Sequence, residues 1–150
     1  DLAKLIETVL PRSKPGHSHP ATRSFQAIRI AVNKEYKELF DGLFSAEKVL
    51  SSGGYLVLVT FHSIEDRIVK RFIQARTGKL HSTSRYMPGT DDIEAQFTKV
   101  TRKAVKPSID EISINPRSRS AKLRIAKRTN IKPGQSLDLE ELNVPIVGGY

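Results

Sequence analysis

The chain has 150 residues, 25 Lys+Arg against 16 Asp+Glu for a formal charge of +9, and 38% hydrophobic residues, which suits one globular domain. It contains no cysteine, so a disulfide framework, a thiol nucleophile, a zinc knuckle and an iron–sulfur cluster are excluded, and its histidines show no metal-ligand spacing. No apolar run approaches the ~18 residues a bilayer-spanning helix needs, and the excess of Lys and Arg points to a polyanionic partner whose phosphates release counterions on binding.

Asp1-Leu2-Ala3-Lys4-Leu5 is neither a Met start nor a signal peptide, so we expect a piece of a longer chain. Leu2, Leu5, Ile6 and Val9 have helical spacing, and Pro11 ends the run. Pro11 to Pro20 holds Pro15, Gly16 and several polar residues and reads as a connector, a natural hinge between subdomains. Phe25, Ile28, Val32, Tyr36, Leu39, Leu43, Ala46 and Leu50 then recur every three or four residues, which predicts one long amphipathic helix that Gly42 weakens without ending.

Ser51-Ser52-Gly53-Gly54 closes that helix. Tyr55 to Phe61 is an unbroken β-prone run, apolar on both faces, as expected inside a helix-covered parallel sheet. Ser63-Ile64-Glu65-Asp66 has the Ser-x-x-acid form of a capping box with Ser63 as the cap. It opens a helix that should bury Ile64, Ile68, Phe72 and Ile73 and expose Arg67, Lys70 and Arg71. Residues 77–96 read as a surface loop. Phe97 to Val105 and Ser120 to Lys127 are short strand candidates, expected to pair antiparallel across a long connection. From Thr129 onward one Lys faces three acids with no clear period, and we expect this tail to wrap the surface or remain disordered.

Three segments could carry chemistry. His62, Ser63, Glu65 and Asp66 follow a strand end, where ligands of open α/β sheets bind, and a helix N-terminus there adds free N–H groups. The same residues also suit an ordinary helix start. Arg23, Gln26, Arg29 and Asn33 recur on the face away from Phe25, Ile28 and Val32, a stripe of donors that could clamp phosphates or could simply be solvated. Arg117 to Arg128 holds six basic residues and no acid. Its Leu123 and Ile125 alternate with Lys122 and Arg124, predicting a strand with one buried and one cationic face, suited to a nucleic-acid backbone or to a protected edge. No glycine-rich loop follows a strand, and neither a Gly-x-Ser-x-Gly elbow nor a His-Glu-x-x-His helix is present.

Read together, His19-Pro20-Ala21-Thr22-Arg23-Ser24-Phe25-Gln26-Ala27-Ile28-Arg29, the run Gly53-Gly54 with Thr60-Phe61-His62-Ser63-Ile64-Glu65-Asp66-Arg67-Ile68-Val69-Lys70-Arg71-Phe72, and Asn115-Pro116-Arg117-Ser118-Arg119-Ser120-Ala121-Lys122-Leu123-Arg124 strongly resemble the MraW/RsmH family, over about residues 1–128. The resemblance implies an α/β fold: the C-terminal part of a class I, Rossmann-like methyltransferase sheet with the end of an inserted helical domain. Residues 1–18 would be the end of the insertion and the connector, 19–128 methyltransferase domain and 129–150 a surface tail.

The activity so implied is S-adenosylmethionine-dependent methylation of a cytidine N4 in small-subunit (16S-type) ribosomal RNA. The family's glycine-rich cofactor loop, ribose-binding acid and Asp-Leu-Gly motif lie upstream of these residues. The resemblance therefore places no cofactor ligand and no metal in this chain, and the segment alone is expected to be inactive. Its target base must leave any stack to reach the pocket, and the exocyclic amine needs an acceptor for its N–H because its lone pair is delocalised into the ring.

Candidate catalytic residues are His62, Glu65 and Asp66. Candidate RNA contacts are Arg23, Arg29, Asn33, Arg67, Lys70, Arg117, Arg119, Lys122 and Arg124. The expected partner is small-subunit ribosomal RNA, with room for a homodimer and no membrane, in a bacterial cytoplasm or, for a homologue, an organelle. The rival from another class is a non-enzymatic RNA-binding or ribosome-assembly protein using the same basic surfaces.

Overall fold

The computed structural model describes residues 1–10, 19–78, 94–135, 137–138 and 141–142. Most of the Pro11–Pro20 connector, most of the 77–96 loop and much of the tail lie outside them. The chain divides into two compact units, one drawn from Asp1–Lys37 and the other from Glu38–Ile146.

In the first unit, helix α1 (Leu2–Val9) is capped by Asp1, whose carboxylate accepts from the Ala3 N–H at 3.1 Å. Helix α2 (Thr22–Asn33) follows. The expected single long helix is in fact two. Lys34 adopts the left-handed conformation with φ 50°, its N–H returning to Ile30 and Ala31, and α3 (Glu35–Val49) starts afresh. Glu35 secures the break by accepting from Arg29 at 2.7 and 3.0 Å and from Asn33 Nδ2 at 3.3 Å. The expected apolar face of α2 is open: Phe25, Ile28 and Val32 are exposed, whereas Ile30 and Ala21 are buried.

The second unit holds a three-stranded antiparallel sheet of order β1-β3-β2, with β1 (Tyr55–Thr60), β2 (Phe97–Lys99) and β3 (Lys122–Arg128). The antiparallel pair predicted from sequence is β2 with β3, and an isolated bridge Val105–Leu123 continues it. The parallel partner expected for β1 is not among the described residues. β1 pairs antiparallel with β3, Tyr55 opposite Lys127 through Thr60 opposite Lys122. Gly53, at φ +83°, turns the chain into β1, and the ladder begins with its N–H to the Arg128 carbonyl. Between Val105 and β3 lie α5 (Ile109–Ile114), capped by Ser108, and a 3-10 turn (Pro116–Ser120) capped by Asn115.

Cross-strand partners share a face, so the register sorts the sheet. One face carries Leu56, Leu58 and Thr60 with Ala126, Arg124 and Lys122; the other carries Tyr55, Val57 and Val59 with Lys127, Ile125 and Leu123. The first packs against α4 (Ser63–Arg76), which buries Ile68, Val69, Phe72 and Ile73. Tyr55, Val57 and Val59 remain more than half exposed. The cationic face predicted for β3 is therefore the covered one, because Arg128 and Ala126 are buried there while Leu123 and Ile125 lie opposite.

Aromatic rings link α3, α4 and β2: Phe40, Phe44, Phe72 and Phe97 meet edge to face at centroid separations of 4.8, 5.4 and 6.1 Å. Each such pair adds ~0.5–1.5 kcal/mol beyond area burial. Beside them Glu47 and Arg76, both buried, form an ion pair at 2.9 Å. The second Glu47 oxygen accepts from the Gly134 N–H, and Arg76 reaches the Gln135 carbonyl. This part of the tail is thus held against α3 and α4, and Leu142 is fully buried. Among the described residues no helix is long and apolar enough to cross a membrane, and no His, Cys, Asp and Glu side chains group to hold a metal.

Candidate functional site

The chain passes from β1 into α4 through Phe61 and His62. The helix cap sits one residue earlier than the sequence pattern predicts: His62 is extended and caps, while Ser63 is already helical. Glu65, third in the helix, accepts from the backbone N–H groups of Phe61 and His62 at 3.0 and 3.1 Å through one oxygen. It thereby satisfies donors that a helix start leaves unpaired and places a negative charge at the positive dipole end.

With Glu65 as the capping acid, Asp66 turns toward the sheet. It is buried, and takes Arg124 Nε at 2.7 Å and Lys122 Nζ at 3.0 Å. Burial pushes its carboxyl up, but the hydrogen bonds and charges of Arg124 and Lys122 outweigh that and hold it below the usual carboxylate range. Thr60, across the ladder from Lys122, buries a hydroxyl with no hydrogen-bond partner among the described residues.

A pocket of about 280 Å³ opens at this strand end, close to the lower size of small-molecule sites. Phe61, His62 and Ser63 form one wall; Lys106, Arg119 and Lys122 bring three cations to the other. Phe61 is half exposed. Lys106 and Arg119 make no ion pair among the described residues, so their charge faces whatever enters.

Of the three candidate catalytic residues, His62 lines the pocket, Glu65 caps the helix and Asp66 links α4 to β3. Among the candidate RNA contacts, Arg119 and Lys122 line the pocket, Arg124 is held by Asp66, and Arg67, Lys70 and Arg117 are exposed. Arg23, Arg29 and Asn33 belong to the first unit, where Glu35 engages Arg29 and Asn33 and Arg23 is exposed. Of the pocket residues not singled out as contacts from sequence, Lys106 and Phe61 matter most. Lys106 follows the isolated Val105–Leu123 bridge, in an irregular connection whose approach to the pocket no local pattern encodes. The apolar run predicts Phe61 as the end of the strand, but β1 ends at Thr60 and Phe61 lines the pocket wall.

The MraW methylase family matches residues 1–129. The chain is 56% identical over 144 residues to a ribosomal RNA small subunit methyltransferase H from Ruegeria sp. (strain TM1040), covering 96% of this chain and 44% of that protein. It is 53% identical over 146 residues to the protein of the same name from Roseobacter denitrificans, with 97% and 44% covered. With that of Jannaschia sp. (strain CCS1) it shares 52% over 149 residues, 99% and 45%. The chain thus spans less than half the length of these relatives.

Proposed function

This chain belongs to the MraW methylase family, and from that premise we propose that the whole protein methylates a cytidine N4 of small-subunit ribosomal RNA with S-adenosylmethionine, the segment described here supplying part of the RNA-binding surface and one wall of the base pocket. The observation that carries the reading is the pocket at the end of β1, where an aromatic ring and a histidine face three cations. The relatives' name, ribosomal RNA small subunit methyltransferase H, supports an RNA substrate and methyl transfer, and favours this reading over RNA binding without chemistry.

The described residues do not fit the cofactor. Among them no carboxylate lines the pocket to take the cofactor's ribose hydroxyls, and Lys106, Arg119 and Lys122 suit phosphates instead. Asp66, the carboxylate bonded to Lys122, is already engaged by two cations, and no glycine-rich loop follows β1. We assign the cofactor to the part of the protein that the relatives have beyond this match, and the segment alone is then inactive. The exposed face of Tyr55, Val57 and Val59 and the outer edge of β1 are where we place the remaining strands and helices of a Rossmann-like sheet.

Within the pocket, Lys106 and Arg119 hold phosphates flanking the target nucleotide, since such contacts position RNA without reading sequence. Phe61 offers a face on which an unstacked cytosine rests, as aromatic rings do for splayed-out bases. Alkylation of the exocyclic amine releases one proton. His62, on the wall beside the amine, is the group we place to polarise the N–H and take up that proton. Glu65 fixes the backbone that carries His62, and Asp66 fixes the position of Lys122.

Nucleoside analysis of small-subunit RNA treated with the intact protein and S-adenosylmethionine tests the proposal. N4-methylcytidine supports it; methylation of another atom, or none, overturns it.

A further inference from the structure

A second recess lies on the α4 side of the sheet, about 50 Å³, between Lys70 and Gln74 of α4, Lys99 at the end of β2, Thr101 and Arg102 just beyond it, and Arg124 of β3. Three features set it apart. It gathers four cations and no acid in its lining. Lys70 and Arg102 are exposed and make no ion pair among the described residues. Gln74 buries its Oε1 with no hydrogen-bond partner among the described residues, a buried acceptor left unmade at a cost of ~1–3 kcal/mol. Thr101 does not relieve it, because its hydroxyl is spent on the Ile125 backbone.

A phosphodiester satisfies the cations but, being acceptor only, leaves Gln74 unpaired. A ribose 2′-hydroxyl is a donor as well as an acceptor and is what distinguishes RNA from DNA at a given site. We infer that this recess seats the 2′-hydroxyl edge of one ribonucleotide of an RNA backbone, Gln74 Oε1 accepting from that hydroxyl and the exposed Lys70 and Arg102 holding the adjoining phosphate at the rim. The recess has no room for a stacked base, so it recognises RNA without reading sequence. It is separate from the β1-end pocket, and the two are coupled through Asp66, which bonds Lys122 on the wall of one and Arg124 on the wall of the other. The inference deepens the proposed RNA-methylating reading and rests on it.

The test measures binding of the intact protein to a single-stranded small-subunit RNA segment and to DNA of the same sequence, across salt concentrations. Lys70→Ala and Arg102→Ala, both at exposed positions, should each lower the slope of log affinity on log salt by about 0.7 for RNA and for DNA. Gln74→Met, similar in shape, should weaken RNA binding about 3- to 10-fold and leave DNA binding unchanged. Unaltered slopes in the two cation variants, or equal effects of Gln74→Met on RNA and DNA, overturn the recess while leaving the methylation reading standing. A wild-type protein that binds no RNA overturns both. Displacement of the RNA by a free mononucleotide at micromolar concentration, lost in Lys70→Ala, would reassign the recess to a small ligand and overturn the RNA-backbone assignment.

Discussion

Asp66 accepts from Arg124 at 2.7 Å across 58 residues of sequence, tying the first turns of α4 to the centre strand of the sheet. Its other oxygen takes Lys122, a residue of the pocket wall. Charge neutralisation inside the packed face and placement of a cation at the pocket are thus one contact. Asp66→Asn keeps the shape and removes the charge, and should destabilise the intact protein by ~1–3 kcal/mol in urea unfolding, a partly solvated fraction of the cost of a fully buried pair.

The same contact sets an acid dependence. The folded-state carboxyl of Asp66 lies below its ordinary value, so its stabilisation is fully present above the unfolded value of ~3.9 and is lost as pH falls from there through the folded value. The stability gap between wild type and Asp66→Asn should therefore be constant at neutral pH and close on acidification below about pH 4. A gap that widened with acid would contradict the assignment.

Glu47 and Arg76 are a different case, buried on both sides. Arg76 also lies 5.0 Å from the Phe44 ring centroid and 5.8 Å from that of Phe72. Removing one partner strands the other charge, and Glu47→Leu should cost ~3–5 kcal/mol, whereas the double replacement Glu47→Leu with Arg76→Leu should cost clearly less than the sum of the singles. Chemical unfolding of the four proteins in this cycle checks it.

Gly134 marks where the tail crosses that pair. A Cβ there would stand 2.7 Å from Arg76 Cζ, and the guanidinium has little freedom to yield because Glu47 and the Gln135 carbonyl hold it. Gly134→Ala should destabilise by ~1–3 kcal/mol. Combined with Arg76→Leu the effect should largely vanish, since the atoms it meets are gone.

At the β1-end pocket, Lys106→Ala and Arg119→Ala should each reduce the salt slope of RNA binding by about 0.7. Arg29→Ala removes a guanidinium already bound to Glu35, and its effect on that slope should be smaller. Binding isotherms at three or more salt concentrations separate the two outcomes.

Much of this was legible in the sequence. The apolar run 55–61, the spacing of Ile68 and Phe72 and the pair of late strands led to β1, α4 and the β2–β3 ladder, although β2 stops at Lys99 and Val105 returns only as an isolated bridge. What escaped depended on energies that periodicity does not carry. Lys34 breaks the long helix without Gly or Pro, its break held by contacts from Glu35. Two adjacent acids follow His62, and only folding decides which one caps and which turns inward. The alternation in β3 correctly separated Lys122 and Arg124 from Leu123 and Ile125, yet the cationic side is the covered one, because Asp66 waits there to neutralise it. Lys106 came to the pocket through a long-range approach that no local pattern announces.

In the proposed reaction, the pocket formed by Phe61, His62, Lys106 and Arg119 receives the base that is methylated. Single-turnover methyl transfer to small-subunit RNA by the intact protein, compared with His62→Ala at saturating RNA, tests it most directly. His62→Ala should lower the rate by about 100-fold or more, with RNA affinity little changed. An unchanged rate would contradict it.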